Sequence, residues 1–275
     1  MTTFAIASRD ELWLRGALTE SRLMHGRALQ RGERIEASDA RDDRLLRACD
    51  DAMAAARETI AALRDARVRA VVRATRENDV EAIETTMTLS IGGVSVVTTP
   101  PDAMHDFDLL RTAIAIQPEA AGDSRPIVWR SGSAAVLLHE AIGHANEHGA
   151  PAVAWPGWLS VDAPLVPRRQ TFRDVPLPRM AHLIARQNDA PFVLPEERIE
   201  VLLLAGGAYD PVTDVVTIDV AVSTAGPFTI RRSRAEIAAS LAGAFGEPIR
   251  YPGVICSREG QELYVASHAP VMITT

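Results

Sequence analysis

Two histidines five residues apart, with a glutamate beside the first, set the strongest limit on this chain. The stretch from Ser131 to Gly149 reads SGSAAVLLHEAIGHANEHG and contains His139-Glu140-Ala141-Ile142-Gly143-His144. The apolar run from Ala134 to Leu138 leads into it. The pattern therefore places two imidazoles and a carboxylate on one helix, an arrangement that can hold a metal ion with a base beside it. In a regular α-helix, residues four apart lie about 40° apart around the axis, but residues five apart lie about 140° apart. His139 and His144 can share one ion only if the helix is distorted between them, and Gly143 is a plausible point for the distortion. A rival set needs no distortion: Glu140, His144 and His148 follow one another at four-residue spacing and share a face. On this stretch alone both sets stay open.

Composition limits what such a site can serve. A length of 275 residues allows one large domain or two small ones. With 47% hydrophobic and 24% charged residues, the chain has the profile of a soluble globular protein. Net charge is -7, so bulk charge gives no reason to expect nucleic acid or an anionic membrane as partner. The first residues carry early acids and no long apolar run, which argues against a signal peptide or membrane span and makes a cytoplasmic location the default. Two cysteines, Cys49 and Cys256, are too few for a disulfide framework.

Periodicity gives an α+β chain. Trp13, Leu14, Ala17 and Leu18 fit a short helix, and 31–39 reads as a solvated loop. From Asp39 to Ala66 the residues Leu45, Cys49, Ala52, Met53, Ala56, Ile60 and Leu63 recur at helical spacing, which places Cys49 on a buried stripe. Residues 68–75 read as a strand, and 82–89 and 94–98 as a hairpin around Gly92-Gly93. A helix over 106–115, a turn over 123–126 and a buried strand over 127–129 lead to the motif helix, with Ser131 or Ser133 as its cap. The proline-rich segment 150–178, with Trp155 and Trp158, reads as irregular chain that could wall a site or merely connect. A short helix is expected over 179–186. The final third is β-rich, interrupted by a helix over 233–244 with a Ser233/Glu236 capping box. Cys256 falls in a turn-like segment, 251–261, where a thiolate could complete a His/His/Cys site.

Three separated blocks resemble the metal-bearing subunit of the TldD/PmbA metalloprotease family. They are LLHEAIGHANE at 137–147, the segment Phe172-Arg-Asp-Val-Pro-Leu-Pro-Arg-Met180, and Cys256-Ser-Arg-Glu-Gly-Gln261 with the final strand. The turn GAYDPVT at 207–213 also fits. His148-Gly149 and Ser257-Arg258 depart from the family pattern. The resemblance implies zinc held by His139, His144 and Cys256, with Glu140 as general base and Glu147 as a supporting group. It implies a short form: a reduced N-terminal helix/strand portion over 1–130 carrying an HExxxH helix over 131–149, an irregular proline-rich connector over 150–197, and a β-rich C-terminal domain over 198–275 that supplies the cysteine. It further implies cleavage of a peptide or peptide-like amide bond, as in peptide antibiotic maturation, and assembly with a related subunit lacking the motif, a homodimer being the other arrangement. A metal-bearing scaffold subunit without hydrolytic activity is the alternative. Segment 150–178, loop 187–197 and Arg168, Arg169, Arg173 and Arg179 are candidates for substrate or partner contacts.

Overall fold

Short-range alternation of small apolar and polar residues organises the N-terminal part of the chain. The computed structural model describes all residues except 1, 32–33, 117–118, 121–124, 131, 169–176, 190–191 and 259–260. It contains two compact units, Met1–Asp108 and Leu109–Thr275. In the first, strands β1 (Thr2–Leu14) and β2 (Ala17–Arg31) form a long hairpin. Its two-residue turn is Arg15-Gly16, both at positive φ, as a tight antiparallel turn requires. The short helix expected around Trp13 and Leu18 is therefore absent. The two residues are cross-strand partners, and their spacing arose from apolar positions on either side of a turn. Strand β3 (Arg34–Ser38) replaces the expected solvated loop; it pairs with β2 at the sheet edge, where polar sequence is tolerated.

Helix α1 (Asp43–Ala62) follows, with Asp42 accepting the Leu45 N–H at 3.2 Å. Strands β4 (Arg67–Glu77), β5 (Val80–Ile91) and β6 (Val94–Thr98) complete an antiparallel sheet of order β3-β2-β1-β4-β5-β6. The helix buries Leu45, Cys49, Met53, Ala56 and Ile60 and packs on β1 and β4. The inward residues of those strands are small: Ala5, Ala7, Ala70 and Ala74, with Val68 and Val72. Small side chains let the helix approach closely, and the Cys49 thiol donates to the Ala7 carbonyl at 3.2 Å. Each fully buried Leu, Ile or Met in this layer contributes about 1.5–3 kcal/mol.

Helix α2 (Ala103–Ile116) crosses the boundary between the units. The second unit then runs β7 (Glu119–Ala120), β8 (Ile127–Trp129), α3 (Ala134–Leu138), a π turn (His139–His144) and α4 (Ala145–Glu147). Strands β9 (Leu159–Asp162), β10 (Leu165–Arg168), β11 (Leu177–Met180), β12 (His182–Gln187), β13 (Ile199–Ala205), β14 (Ala208–Asp210), β15 (Val215–Ser223) and β16 (Gly226–Ser233) follow. Helix α5 (Arg234–Ser240) and the long hairpin β17 (Leu241–Arg258) and β18 (Gln261–Thr274) end the chain. The main sheet has the order β7-β16-β15-β13-β8-β18-β12-β9, with β14 on β15 and β17 on β18. Helix α3 is buried along its length and packs on β12, β17 and β18.

The motif helix therefore belongs to the C-terminal unit, not to an N-terminal portion, because its apolar run is covered by C-terminal strands. Four short strands lie in 150–197 where irregular chain is expected, and Trp155 and Trp158 pack against the main core. The helix expected over 179–186 is strand: Leu183 and Ala185 alternate inward on β12, which pairs with β9 and β18. Helix α5 has its capping box but stops at Ser240, because Leu241 begins the pairing with Thr274. Cys256 sits within β17, opposite Leu263, and not in a turn. Among the described residues, no helix is long and apolar enough to cross a membrane.

Candidate metal centre

The site grows from a break in helical regularity. Chain 134–138 is α-helical, the next six residues form a π turn, and 145–147 return to α. A π turn closes i→i+5 hydrogen bonds and brings residues five apart round to nearly the same face. His139 and His144 thereby meet, with ring centroids 4.9 Å apart at an interplanar angle of 89°. Gly143 has a packing role here. A Cβ on it would overlap the Met180 thioether, so its missing side chain lets β11 lie directly on the turn. Gly149, at φ 64°, ends the helix. Ser133 makes no side-chain capping bond, and Ser131 lies outside the described residues.

Strand β17 brings Cys256 to the histidines. His139, His144 and Cys256 each offer a ligand atom, all within 4.8 Å of one another. The Cys256 sulfur is 3.4 Å from His144 Nε2. Ligands of a tetrahedral zinc at about 2.0–2.3 Å stand about 3.5 Å from each other, so the sulfur and His144 already have that spacing and the set as a whole would have to draw in around an ion. Both ring nitrogens of His139 and the Oε2 of Glu140 are buried without a hydrogen-bond partner. Polar atoms left unpaired at such depth cost free energy unless something else meets them. His148 stands apart: it is exposed and its ring lies 6.0 Å from that of Tyr209. Of the two ligand sets open in the sequence, the structure assembles the one with the five-residue spacing and the cysteine.

Electrostatics separates the roles. Burial holds His139 neutral, its pKa lowered to about 3, with His144 adding to the effect. A neutral imidazole keeps a lone pair for a metal. Burial also opposes a charge on His144, but hydrogen bonds to Cys256 and Glu147 and the nearby Glu140 outweigh it and raise the pKa to about 10. The anionic groups around His144 call for positive charge at this point, and a bound cation would meet the same demand. Glu140 is raised to about 7 by burial, with Glu147 and Asp219 adding to the effect against the pull of His144. Its Oε2 lies 3.7 Å from His144 Nε2. A Cβ on Gly207 would come within 2.8 Å of Glu140 Oε1, so the glycine backbone lies against this carboxylate.

Glu147 behaves differently. Burial would raise its pKa, but His144, the Met180 N–H and Arg179 together lower it to about 2. Its Oε2 pairs with His144 Nδ1 at 3.0 Å, and its Oε1 accepts from Met180 N at 2.6 Å and Arg179 Nε at 3.2 Å. It orients the His144 ring through the nitrogen farther from the cysteine sulfur. Arg179 is fully buried, against the expectation of a surface contact residue. Its position in the second resemblance block was the available signal; nothing in its own neighbourhood of prolines marked it as internal. Arg169, Arg173 and the start of that block lie outside the described residues, as does the side chain of Arg168.

No protein-family model matches this chain, and no curated protein matches it. Among solved structures, TldE from Thermococcus kodakarensis aligns over 100% of this chain and 96% of its own, at a TM-score of 0.47 and 9% identity. A proposed modulator of a DNA gyrase from Thermotoga maritima MSB8 aligns over 99% of this chain and 94% of its own, at 0.44 and 7%. Likenesses at this level carry no argument about chemistry, and the reading of the site rests on its own geometry.

Proposed function

We propose that this chain is a zinc-dependent hydrolase of peptide or peptide-like amide bonds, with His139, His144 and Cys256 holding the ion and Glu140 as general base. The observation that carries this reading is the His/His/Cys cluster, with His139 and Cys256 buried, beside a glutamate whose Oε2 has no hydrogen-bond partner. When bound, zinc would polarise the scissile carbonyl and acidify a water toward a pKa of about 7. Glu140 takes a proton at Oε2 and returns it to the leaving nitrogen. That oxygen, buried without a hydrogen-bond partner of its own, can take up the proton. The Gly207 backbone limits where that carboxylate can swing. Glu147 keeps the His144 ring turned with Nε2 toward the sulfur. The TldD/PmbA resemblance supports the amide substrate class and a related subunit as partner.

The test is Glu140→Gln, assayed for zinc content and for cleavage of a panel of unstructured fluorogenic peptides, alone and with any co-purifying subunit. Expected is about one zinc per chain with hydrolysis lowered at least about 100-fold. Cleavage equal to wild type would remove Glu140 from the chemistry and leave the metal-bearing scaffold as the reading. Gly207→Ala should lower kcat about 10-fold with zinc retained, by displacing the Glu140 carboxylate.

A further inference from the structure

Beyond the three ligands, the site contains a buried arginine with no part in holding the ion. Arg179 lies on β11, fully buried, and its guanidinium faces two groups of the centre at once. Its Nε donates to Glu147 Oε1 at 3.2 Å, and its Nη2 donates to the Cys256 sulfur at 2.8 Å and to the Cys256 carbonyl at 3.3 Å. The next residue donates its backbone N–H to the same glutamate oxygen, and its thioether fills the space left by Gly143. One strand thus ties the π turn, α4 and β17 together around the ligands.

Charge gives a second reason. A buried centre with a thiolate at Cys256, carboxylates at Glu140 and Glu147, two neutral imidazoles and a divalent ion carries one net negative charge and is one positive charge short of neutrality. Isolated net charge in a low-dielectric interior is costly. Arg179 supplies the missing positive charge at hydrogen-bond distance. A lysine could supply the charge but not the planar fork that reaches both partners.

We propose that Arg179 is a positioning residue of the metal centre: it fixes the Cys256 sulfur and Glu147 in one rigid frame and neutralises the loaded site. This rests on the ligand set proposed above. By donating to the sulfur, the arginine also draws electron density from it, leaving the cysteine a weaker donor to the metal and the metal more acidic.

The test uses the full chain, with zinc affinity measured by chelator competition and the visible spectrum of the cobalt(II)-substituted protein. Arg179→Met should weaken zinc binding about 10- to 100-fold. It should also move the sulfur-to-cobalt charge-transfer band to lower energy, because a thiolate without its hydrogen bond is a better donor. Arg179→Lys should recover part of the affinity. A folded Arg179→Met with wild-type affinity and an unmoved band would overturn the proposal. If Arg179→Met does not fold, Arg179→Lys decides: a wild-type constant and band would overturn the need for the fork, and a shifted band with weaker binding would support it. A wild-type protein with no sulfur-to-cobalt band would sink the ligand set itself and Arg179's role with it. An intact band insensitive to residue 179 would sink the positioning role alone.

Discussion

Each unit of the molecule buries a glutamate against an arginine, and the two pairs differ in what they leave over. In the first unit Glu11 is fully buried. It accepts from the Arg57 guanidinium through both oxygens and from Trp13 Nε1 at 3.2 Å. No atom of Glu11, Trp13 or Arg57 is among the buried polar atoms left without a partner, and the Arg57 side chain remains 42% exposed, so water shares the charge. In the second unit Glu147 and Arg179 are both at 0% side-chain exposure. Their network reaches His144 and Cys256, yet beside it both nitrogens of His139, Glu140 Oε2 and Arg179 Nη1 go unpaired. The first pair closes on itself and serves the fold. The second leaves polar atoms unmet beside a His/His/Cys cluster, which is the physical mark of a site prepared for something outside the chain.

The comparison can be broken most directly at the ligands. Cys256→Ser should weaken zinc binding by more than about 100-fold, beyond the loss expected for a supporting residue, while Glu11→Gln should leave it unchanged. Elemental analysis of both variants beside His148→Ala, which should keep its zinc, decides the matter. If His148→Ala loses the metal and Cys256→Ser keeps it, the centre lies elsewhere on the helix. The next effect is on stability. Arg57→Met leaves Glu11 buried without its charge partner and should cost about 1–3 kcal/mol in urea unfolding, less than for a fully buried pair because Arg57 is partly solvated. A change in zinc affinity in that variant would blur the distinction between the two pairs.

Free zinc at one hundred times its dissociation constant should stabilise the wild type by about 2.7 kcal/mol and Cys256→Ser by almost nothing. A stabilisation equal in both would mean that the ion binds outside the cluster. The smallest effect sharpens the contrast from within the second unit. Ser233→Ala removes the capping box of α5, away from the cluster, and should cost about 1 kcal/mol with zinc affinity unchanged. Loss of zinc there would show that the centre merely follows the stability of its unit.

Much of the site could be read in the sequence because its residues sit in a dense motif. The distance between His139 and His144 required either a distorted helix or another ligand set, and the chain provides the distortion. Cys256 was reachable through the resemblance, since a cysteine 112 residues from His144 can be placed by no local pattern. The fold was legible wherever one face is buried and the other wet, as in α1 and β4. It was misread where backbone pairing overrides side-chain spacing. Trp13 and Leu18 look like helix neighbours because a tight turn folds them opposite each other. Residues 179–186 look helical until β9 and β18 claim them. Arg179 was misjudged because an arginine is a surface residue by default, and its burial depends on partners that tertiary structure alone supplies.

The π turn has a further consequence for how this helix tolerates insertion and deletion. It absorbs one extra residue between two halves of the helix without turning one half against the other. Deleting one residue between the histidines would restore an ordinary α turn and the four-residue spacing, so the two imidazoles would still face together. Everything after the deletion would keep nearly its present phase, since four residues of α-helix and five of a π turn advance almost equally around the axis. His144 and Glu147 lie together in the second half, so Glu147 would keep its direction toward β11, where Arg179 and the Met180 N–H hold it. What the deletion would remove is the local widening over 140–143, which sets Glu140 against Gly207 and Gly143 against Met180. The extra residue therefore shapes the lining between the histidines and leaves the two halves of the helix in line.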